Sequence, residues 1–272
     1  MPDVADYEGY FFDLDGTVFI GDRLLPGVKE TISLLRKRRK IVRFLTNTTI
    51  RTRKQCQSRL QELGLEVGID EIVTAAYLSA VFLQELSPKP NVLVIGEPAL
   101  TAELHELGVA TTDEPGDATH VLVGMDMQFD YAKLHKAMKA VRCGAQLIAA
   151  NPDPYCPVEG DVIPDTWAMV QAIEAASCVK AAAVIGKPSE YYASKVLEWT
   201  GLRRERCLMI GDRLETDILF GRLHRMHTAL VLTGVTTERE LEQSTIRPDY
   251  VWRTLEQFVD ASHTPISIRH HG

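Results

Sequence analysis

The chain has 272 residues, 45% hydrophobic and 25% charged, enough apolar side chains for one large domain or two modest ones. Lys and Arg number 30 against 37 Asp and Glu, so the net charge is −7 and the pI about 5.7. That balance argues against a nucleic-acid binder or a protein held on anionic membrane, both of which need a basic footprint, but it permits a locally positive pocket for a small phosphorylated molecule. No apolar run approaches the ~18 residues of a membrane span. The acidic start, Met1 to Glu8, lacks the basic and apolar runs of a signal peptide. The five cysteines, Cys56, Cys143, Cys156, Cys178 and Cys207, are odd in number and never spaced Cys-x-x-Cys. Reduced thiols and a cytoplasmic location are expected.

In chain order, apolar runs of strand length alternate with segments of helical period. Gly9 to Leu14 reads as a strand and Val28 to Lys37 as a helix with Ile32, Leu34 and Leu35 inward. Lys40 to Thr46 is a second strand, Arg53 to Leu63 a helix stopped by Gly64, and Ile72-Val73 a short strand. Ala75 to Leu86 is helical, and Ser87-Pro88-Lys89-Pro90 marks a loop. A second series follows: strand Val92 to Ile95, helix Ala99 to Leu107, strand Val121 to Val123, helix Tyr131 to Val141, strand Gln146 to Ala150. Asn151-Pro152-Asp153-Pro154 and Cys156-Pro157 break the pattern before a helix over Thr166 to Ala176. The third series is strand Ala181 to Ile185, helix Glu190 to Trp199, strand Cys207 to Ile210, helix Leu214 to Leu223 and strand Thr228 to Leu232. Tyr250-Val251 and a helix over Leu255 to Val259 close it, and the end at Arg269-His270-His271-Gly272 reads as a disordered tail. The alternation predicts an α/β protein with parallel sheets flanked by helices. Its breaks suggest a discontinuous core, 1–77 with 180–272, and an α/β insertion over 78–179.

Ligands of open parallel sheets bind beyond the carboxyl ends of the strands. Four expected core strands end in chemically specific residues: Asp13-Leu14-Asp15-Gly16-Thr17, Thr46-Asn47-Thr48-Thr49, Gly186-Lys187-Pro188, and Gly211-Asp212 with Asp217 beyond it. On an extended strand Asp13 and Asp15 would project to one side, and two carboxylates that close call for a cation or a shared proton. Thr46 and the turn after it offer a hydroxyl and backbone N–H groups for phosphate oxygens. Lys187 offers a fixed positive charge, Asp212 a carboxylate for magnesium, and Asp217 a group to orient the metal shell or Lys187. Singly, each has a plainer explanation: a turn, a helix cap, an exposed lysine, an acid in a first helical turn. Together and in this order they point to phosphate chemistry.

These four motifs resemble those of the haloacid dehalogenase superfamily of phosphatases, in the same order and with the insertion between the second and third. Asn151-Pro152-Asp153 and Leu232-Thr233-Gly234-Val235-Thr236-Thr237 are similar to the NagD-like, 4-nitrophenylphosphatase branch. Val18-Phe19, Val184-Ile185-Gly186-Lys187-Pro188-Ser189 and Pro248-Asp249-Tyr250-Val251 resemble the arabinose-operon sugar phosphatases. The chain departs from relatives at Thr48-Thr49, where Asn-Ser is common, and at Pro164-Asp165-Thr166-Trp167, where Pro-Gly-x-Gly is common.

The resemblance implies a Rossmann-like core with an inserted α/β cap, and a Mg²⁺-dependent phosphatase of small phosphorylated metabolites such as sugar phosphates, active on 4-nitrophenyl phosphate. Asp13 would be the nucleophile forming an aspartyl phosphate, and Asp15 the general acid and base. Asp13, Asp212 and the Asp15 backbone carbonyl would hold the metal, with Asp217 behind them. Thr46, Asn47, Thr48 and Lys187 would bind the phosphoryl group. Asp126, Asp153 and Tyr155 are candidate substrate contacts in the cap, through which the resemblance also implies a homodimer. A phosphomutase or phosphotransferase with the same nucleophile, and a silent phosphometabolite-binding protein, are the competing readings.

Overall fold

A computed structural model describes residues 4–86, 90–158 and 161–263. The expected loop at Ser87-Pro88-Lys89 and the expected tail lie outside them. The chain forms two compact units, Met1–Arg43 with Thr200–Gly272, and Phe44–Trp199.

In the first unit, strands Gly9–Phe12, Cys207–Gly211, His227–Val231 and Tyr250–Trp252 lie side by side in that order, all parallel. Gly9–Phe12 and Cys207–Gly211 are buried along their whole length, as parallel strands covered on both faces must be. Full burial of Phe11 and Phe12 contributes about 1.5–3 kcal/mol each, and Tyr10 satisfies its buried hydroxyl by donating to Val4 O at 2.8 Å. Helix Val28–Lys37 buries Val28, Thr31, Ile32 and Leu35, the i, i+3, i+4, i+7 stripe of an amphipathic helix. Leu34 falls off that stripe and is only half-buried. The helix meets the start of Glu256–His263 closely: Thr31 Oγ1 donates to Leu255 O, and a Cβ on Gly27, which sits at φ 80°, would stand 2.2 Å from Glu256 N. Only glycine fits there.

In the second unit, the Phe44–Thr46 end of strand Ile41–Thr46 pairs in parallel with Ile72–Thr74. Helix Arg53–Glu62 begins at a reciprocal cap between Thr52 and Gln55 and gives way to Gly64 at φ 80°. A five-stranded parallel sheet has the order Ala183–Val184, Gln146–Ala149, His120–Val123, Asn91–Ile95, Ala110–Thr111. Leu93, Val121 and Leu147 from its strands pack with Ala140, Val170 and Ile173 from helices Tyr131–Arg142 and Thr166–Ser177.

The structure departs from the expected elements in four places. The strand before Gly186-Lys187-Pro188 is not a core strand, because Ala183–Val184 pairs with Gln146–Ala149. The proline-rich break after Pro154 carries two strands: Tyr155–Val158 and Asp161–Pro164 pair antiparallel as a hairpin, with Pro157 and Pro164 at an edge where no ladder N–H is needed. The single helix expected over Leu214 to Leu223 is a wide π-helical turn, Leu214–Ile218, followed by Leu219–Leu223. A short helix, Glu238–Gln243, absent from the expected elements, starts from a Thr237–Glu240 capping box.

The compact units also divide elsewhere than at the proline break. Helix Ala75–Leu86 packs on Pro98–Glu106, while Tyr191 and Lys195 both bond Glu85. Those contacts hold helix Glu190–Thr200 with the middle of the chain. Among the described residues no helix is long and apolar enough to cross a membrane.

Candidate active site

The residues singled out by sequence form one group in each compact unit. In the first, Asp13, Asp212 and Asp217 each offer a carboxylate oxygen within 4.8 Å of the others. Asp13 follows the buried strand end, its N–H bonded to Ile210 O at 2.9 Å. Asp212 follows the neighbouring strand and is 1% exposed. Its Oδ2 accepts the Val235 N–H at 2.7 Å. A Cβ on Gly16 or Gly234 would stand 2.5 or 2.0 Å from that oxygen, so both loops must be glycine where they pass it. Thr233 Oγ1 donates to Gly16 O at 2.6 Å and ties the two loops together. Thr233, Gly234 and Val235 were noted in sequence only as a likeness to relatives; their part in seating Asp212 was not read from it.

Asp217 comes to the cluster through the π-helical turn. Asp217 N and Ile218 N both donate to Arg213 O, and the carboxylate accepts Arg213 N at 3.2 Å. Such turns are rare and often occur at functional sites. The residue at the cap position of that turn is Arg213, not Asp212.

Asp15 is not in the cluster. The strand ends at Phe12, and Thr17, Val18 and Phe19 all turn their N–H groups onto Leu14 O. The two-residue alternation that would have put Asp13 and Asp15 on one side therefore does not extend to them. Asp13 is partly buried at the cluster and Asp15 is exposed.

Three carboxylates this close repel one another unless a cation lies among them. The donor set is all oxygen, which suits a hard divalent ion such as magnesium. The side chains present fit such an ion, with Asp217 among the candidate ligands rather than behind them.

In the second unit Lys187 is 1% exposed, its ammonium donating to Leu45 O at 2.8 Å. It is not the solvated loop lysine of the plainer explanation. Thr46 is 3% exposed and its Oγ1 accepts Thr48 N at 3.1 Å. That leaves the hydroxyl proton to donate but commits one of the turn N–H groups expected to bind phosphate.

Asn47, expected to bind substrate, has both amide hydrogens engaged. Nδ2 donates to Lys187 O and to Asp153 Oδ2, each at 3.0 Å, while Oδ1 accepts Lys187 N at 2.8 Å. Its side chain has no donor left for a phosphate oxygen. Asp126 is likewise turned inward: Lys133 Nζ reaches its two oxygens at 2.8 and 2.6 Å, and Gln128 N donates to Oδ1. Asp153 is buried against Asn47, and Tyr155 is 43% exposed on the hairpin.

The model of a haloacid dehalogenase-like hydrolase matches residues 10–110, and a HAD-hydrolase-like model matches residues 184–258. The chain is 35% identical over 260 residues to the sugar-phosphatase AraL of Bacillus subtilis, covering 96% of this chain and 95% of that protein. Among solved structures, the 4-nitrophenylphosphatase of Thermotoga maritima matches with a TM-score of 0.91 at 30% identity, over 96% of this chain and 99% of that one. A glycerol phosphate phosphatase of Mycobacterium tuberculosis, crystallised with magnesium, matches with a TM-score of 0.85 at 30% identity, over 95% and 78% of the two chains.

Proposed function

Because the chain belongs to the haloacid dehalogenase-like hydrolases and is a phosphatase, we propose that it is a Mg²⁺-dependent phosphomonoesterase of small phosphorylated metabolites, sugar phosphates first among them. The observation that carries this reading is the Asp13, Asp212 and Asp217 cluster with exposed Asp15 two residues from Asp13. The relatives named sugar phosphatase and glycerol-3-phosphate phosphatase support the substrate class.

Asp13 attacks phosphorus, and the bond to the leaving oxygen breaks as the aspartyl phosphate forms. Splitting the displacement in two makes each half easier. Asp15 gives its proton to the departing alkoxide, then takes one from the water that attacks the aspartyl phosphate. Free phosphate leaves and Asp13 is restored. Exposure suits Asp15 to this exchange.

The Thr46 hydroxyl, the remaining turn amides and the Lys187 ammonium stabilise charge on the transferring oxygens, each worth on the order of 10²–10³ in rate. Asp13, Asp212 and Asp217 would hold the magnesium, with the Asp15 backbone carbonyl as a further candidate. A magnesium ion there supplies electrostatic stabilisation of the phosphoryl oxygens. An inserted cap on a discontinuous core belongs to the same proposal, with Ala183–Val184 in the cap's sheet, as does a homodimer through that cap.

The test is release of inorganic phosphate from 4-nitrophenyl phosphate and a panel of sugar and glycerol phosphates, with magnesium and with chelator. Magnesium-dependent release is expected. A phosphorylated acceptor in place of free phosphate would mean phosphotransfer, and binding without turnover would mean a silent binding protein.

A further inference from the structure

Asn47 bonds the backbone of Lys187, and two side chains from a separate turn, Asn151 and Asp153, bond Asn47 in turn. Asn47 grips Lys187 on both sides, accepting its N–H at 2.8 Å and donating to its carbonyl at 3.0 Å. Asn47 is itself held from behind. Asp153 Oδ2 accepts its second amide hydrogen at 3.0 Å, and Asn151 Nδ2 donates to its backbone carbonyl at 2.8 Å. Asn151 also accepts the Asp153 N–H at 3.0 Å, closing the network. Asn151 and Asp153 are 1% and 7% exposed and Asn47 is half-buried, so the bonds among them are partly shielded from water.

The amide orientation is fixed by its partners. Lys187 N can only donate and the Asp153 carboxylate accepts, so Asn47 can satisfy both in one orientation alone. Each polar atom of the Asn47 side chain is spent on holding something else. A phosphate-binding side chain would leave at least one donor free, and a turn would not require a carboxylate 106 residues away to complete it.

Asp153 also stands at the root of the hairpin that follows it. Its carbonyl accepts Trp167 N at 3.0 Å and Pro154 O accepts Asp165 N at 3.1 Å. These two bonds close the base of the Tyr155–Val158 and Asp161–Pro164 hairpin. One residue thus joins the root of the hairpin to the support of the buried lysine.

We propose that Asp153 is a positioning residue for Lys187, acting through Asn47, with Asn151 bracing the pair. This rests on the reading of Lys187 as the cation that stabilises the transferring phosphoryl group. The lysine backbone is clamped by Asn47 and its ammonium is seated on Leu45 O. Releasing the clamp leaves that charge on a loop free to shift. Misplacement of a catalytic group by about 1 Å can cost on the order of 10²-fold in rate.

A double-mutant cycle on the full-length enzyme tests it, with kcat and KM for 4-nitrophenyl phosphate in magnesium and thermal unfolding measured for every variant. Lys187→Ala alone tests the parent reading: turnover like wild type would overturn the role of Lys187 itself. Given a damaged Lys187→Ala, Asp153→Ala is expected to lower kcat on the order of 10–10²-fold in the wild-type background and to add almost nothing in the Lys187→Ala background. Fully additive losses, or unchanged kcat in Asp153→Ala, would overturn the positioning role while leaving Lys187 in place.

A conservative pair covers the case in which Asp153→Ala does not fold. Asp153→Asn keeps an oxygen that can accept from Asn47 Nδ2 and is expected to keep most of the wild-type kcat. Asn47→Ala removes both bonds to the Lys187 backbone and is expected to lose at least about tenfold in kcat in the wild-type background and almost nothing in the Lys187→Ala background. Wild-type kcat in a folded Asn47→Ala variant would overturn the network.

Discussion

Asp217 lies against Gly211 so closely that a Cβ on Gly211 would stand 2.2 Å from the Asp217 Cγ. The carboxylate can join Asp13 and Asp212 only because position 211 has no side chain. Gly211→Ala must therefore displace Asp217 or strain the strand end, at a cost of about 1–3 kcal/mol. Weaker magnesium binding by calorimetry together with a lower unfolding temperature is expected. Wild-type magnesium affinity and stability would show that Asp217 does not need this seat.

The different places of Asp217 and Asp15 separate metal binding from proton transfer. Asp217→Asn is expected to weaken magnesium binding about 10–100-fold. Asp15→Asn keeps its backbone carbonyl and lies outside the carboxylate cluster, so it is expected to bind magnesium nearly as wild type while kcat falls about 10²–10⁴-fold. Calorimetric titration with the metal, beside steady-state kinetics, distinguishes the two. Equal loss of metal affinity in both variants would contradict the separation.

Glu103 gives a pH dependence of stability unrelated to catalysis. Burial raises its pKa, opposed by the Arg53 N–H it accepts at 2.6 Å and by the Arg53 charge. A folded-state pKa above the unfolded one means that the folded form favours the proton. The resulting penalty is small below the unfolded value, grows as pH rises through the folded pKa, and is complete above it. Glu103→Gln keeps an acceptor for Arg53 N and removes the charge. It is expected to raise the unfolding temperature at pH 7 and to lose that advantage below about pH 4. An advantage that persists undiminished in acid would contradict this account.

The cysteines should sort by burial. Cys143 and Cys178 are exposed, whereas Cys56 and Cys207 are buried. Burial, with the nearby charges of Glu8 and Glu205, pushes the Cys207 thiol up to about 12. An aromatic disulfide reagent at pH 8 is expected to modify Cys143 and Cys178 rapidly in the native protein and Cys207 only in denaturant. Peptide mass mapping identifies the order, and fast native modification of Cys207 would contradict it.

Much of the fold was legible because parallel strands and amphipathic helices have strong periods. Helix Val28–Lys37 and helix Ala75–Leu86 fall where the spacing puts them. The hairpin after Pro154 was not legible, because edge strands tolerate the prolines that ordinarily argue against a strand. The sheet to which Ala183–Val184 belongs could not be read either, since two apolar residues pair equally well with any open edge.

The site residues stand out by their positions after strands, but strand geometry alone does not divide the labour among them; the family resemblance supplies that division. Alternation along an ideal strand joined Asp13 to Asp15, whereas the chain turns after Phe12. Asp217 was read as lying behind the metal ligands because a π-helical turn has no sequence signal. The engagement of Asn47 with Asp153 depends on residues 106 apart, a distance no local pattern spans.

The central claim is that Asp13 is the nucleophile. The most direct measurement is phosphate release by Asp13→Asn, set beside wild type at saturating magnesium and 4-nitrophenyl phosphate, with unfolding temperature as the check on folding. Turnover reduced by at least about 10³-fold in a protein of near wild-type stability is expected. Wild-type turnover in a folded Asp13→Asn enzyme would contradict the account.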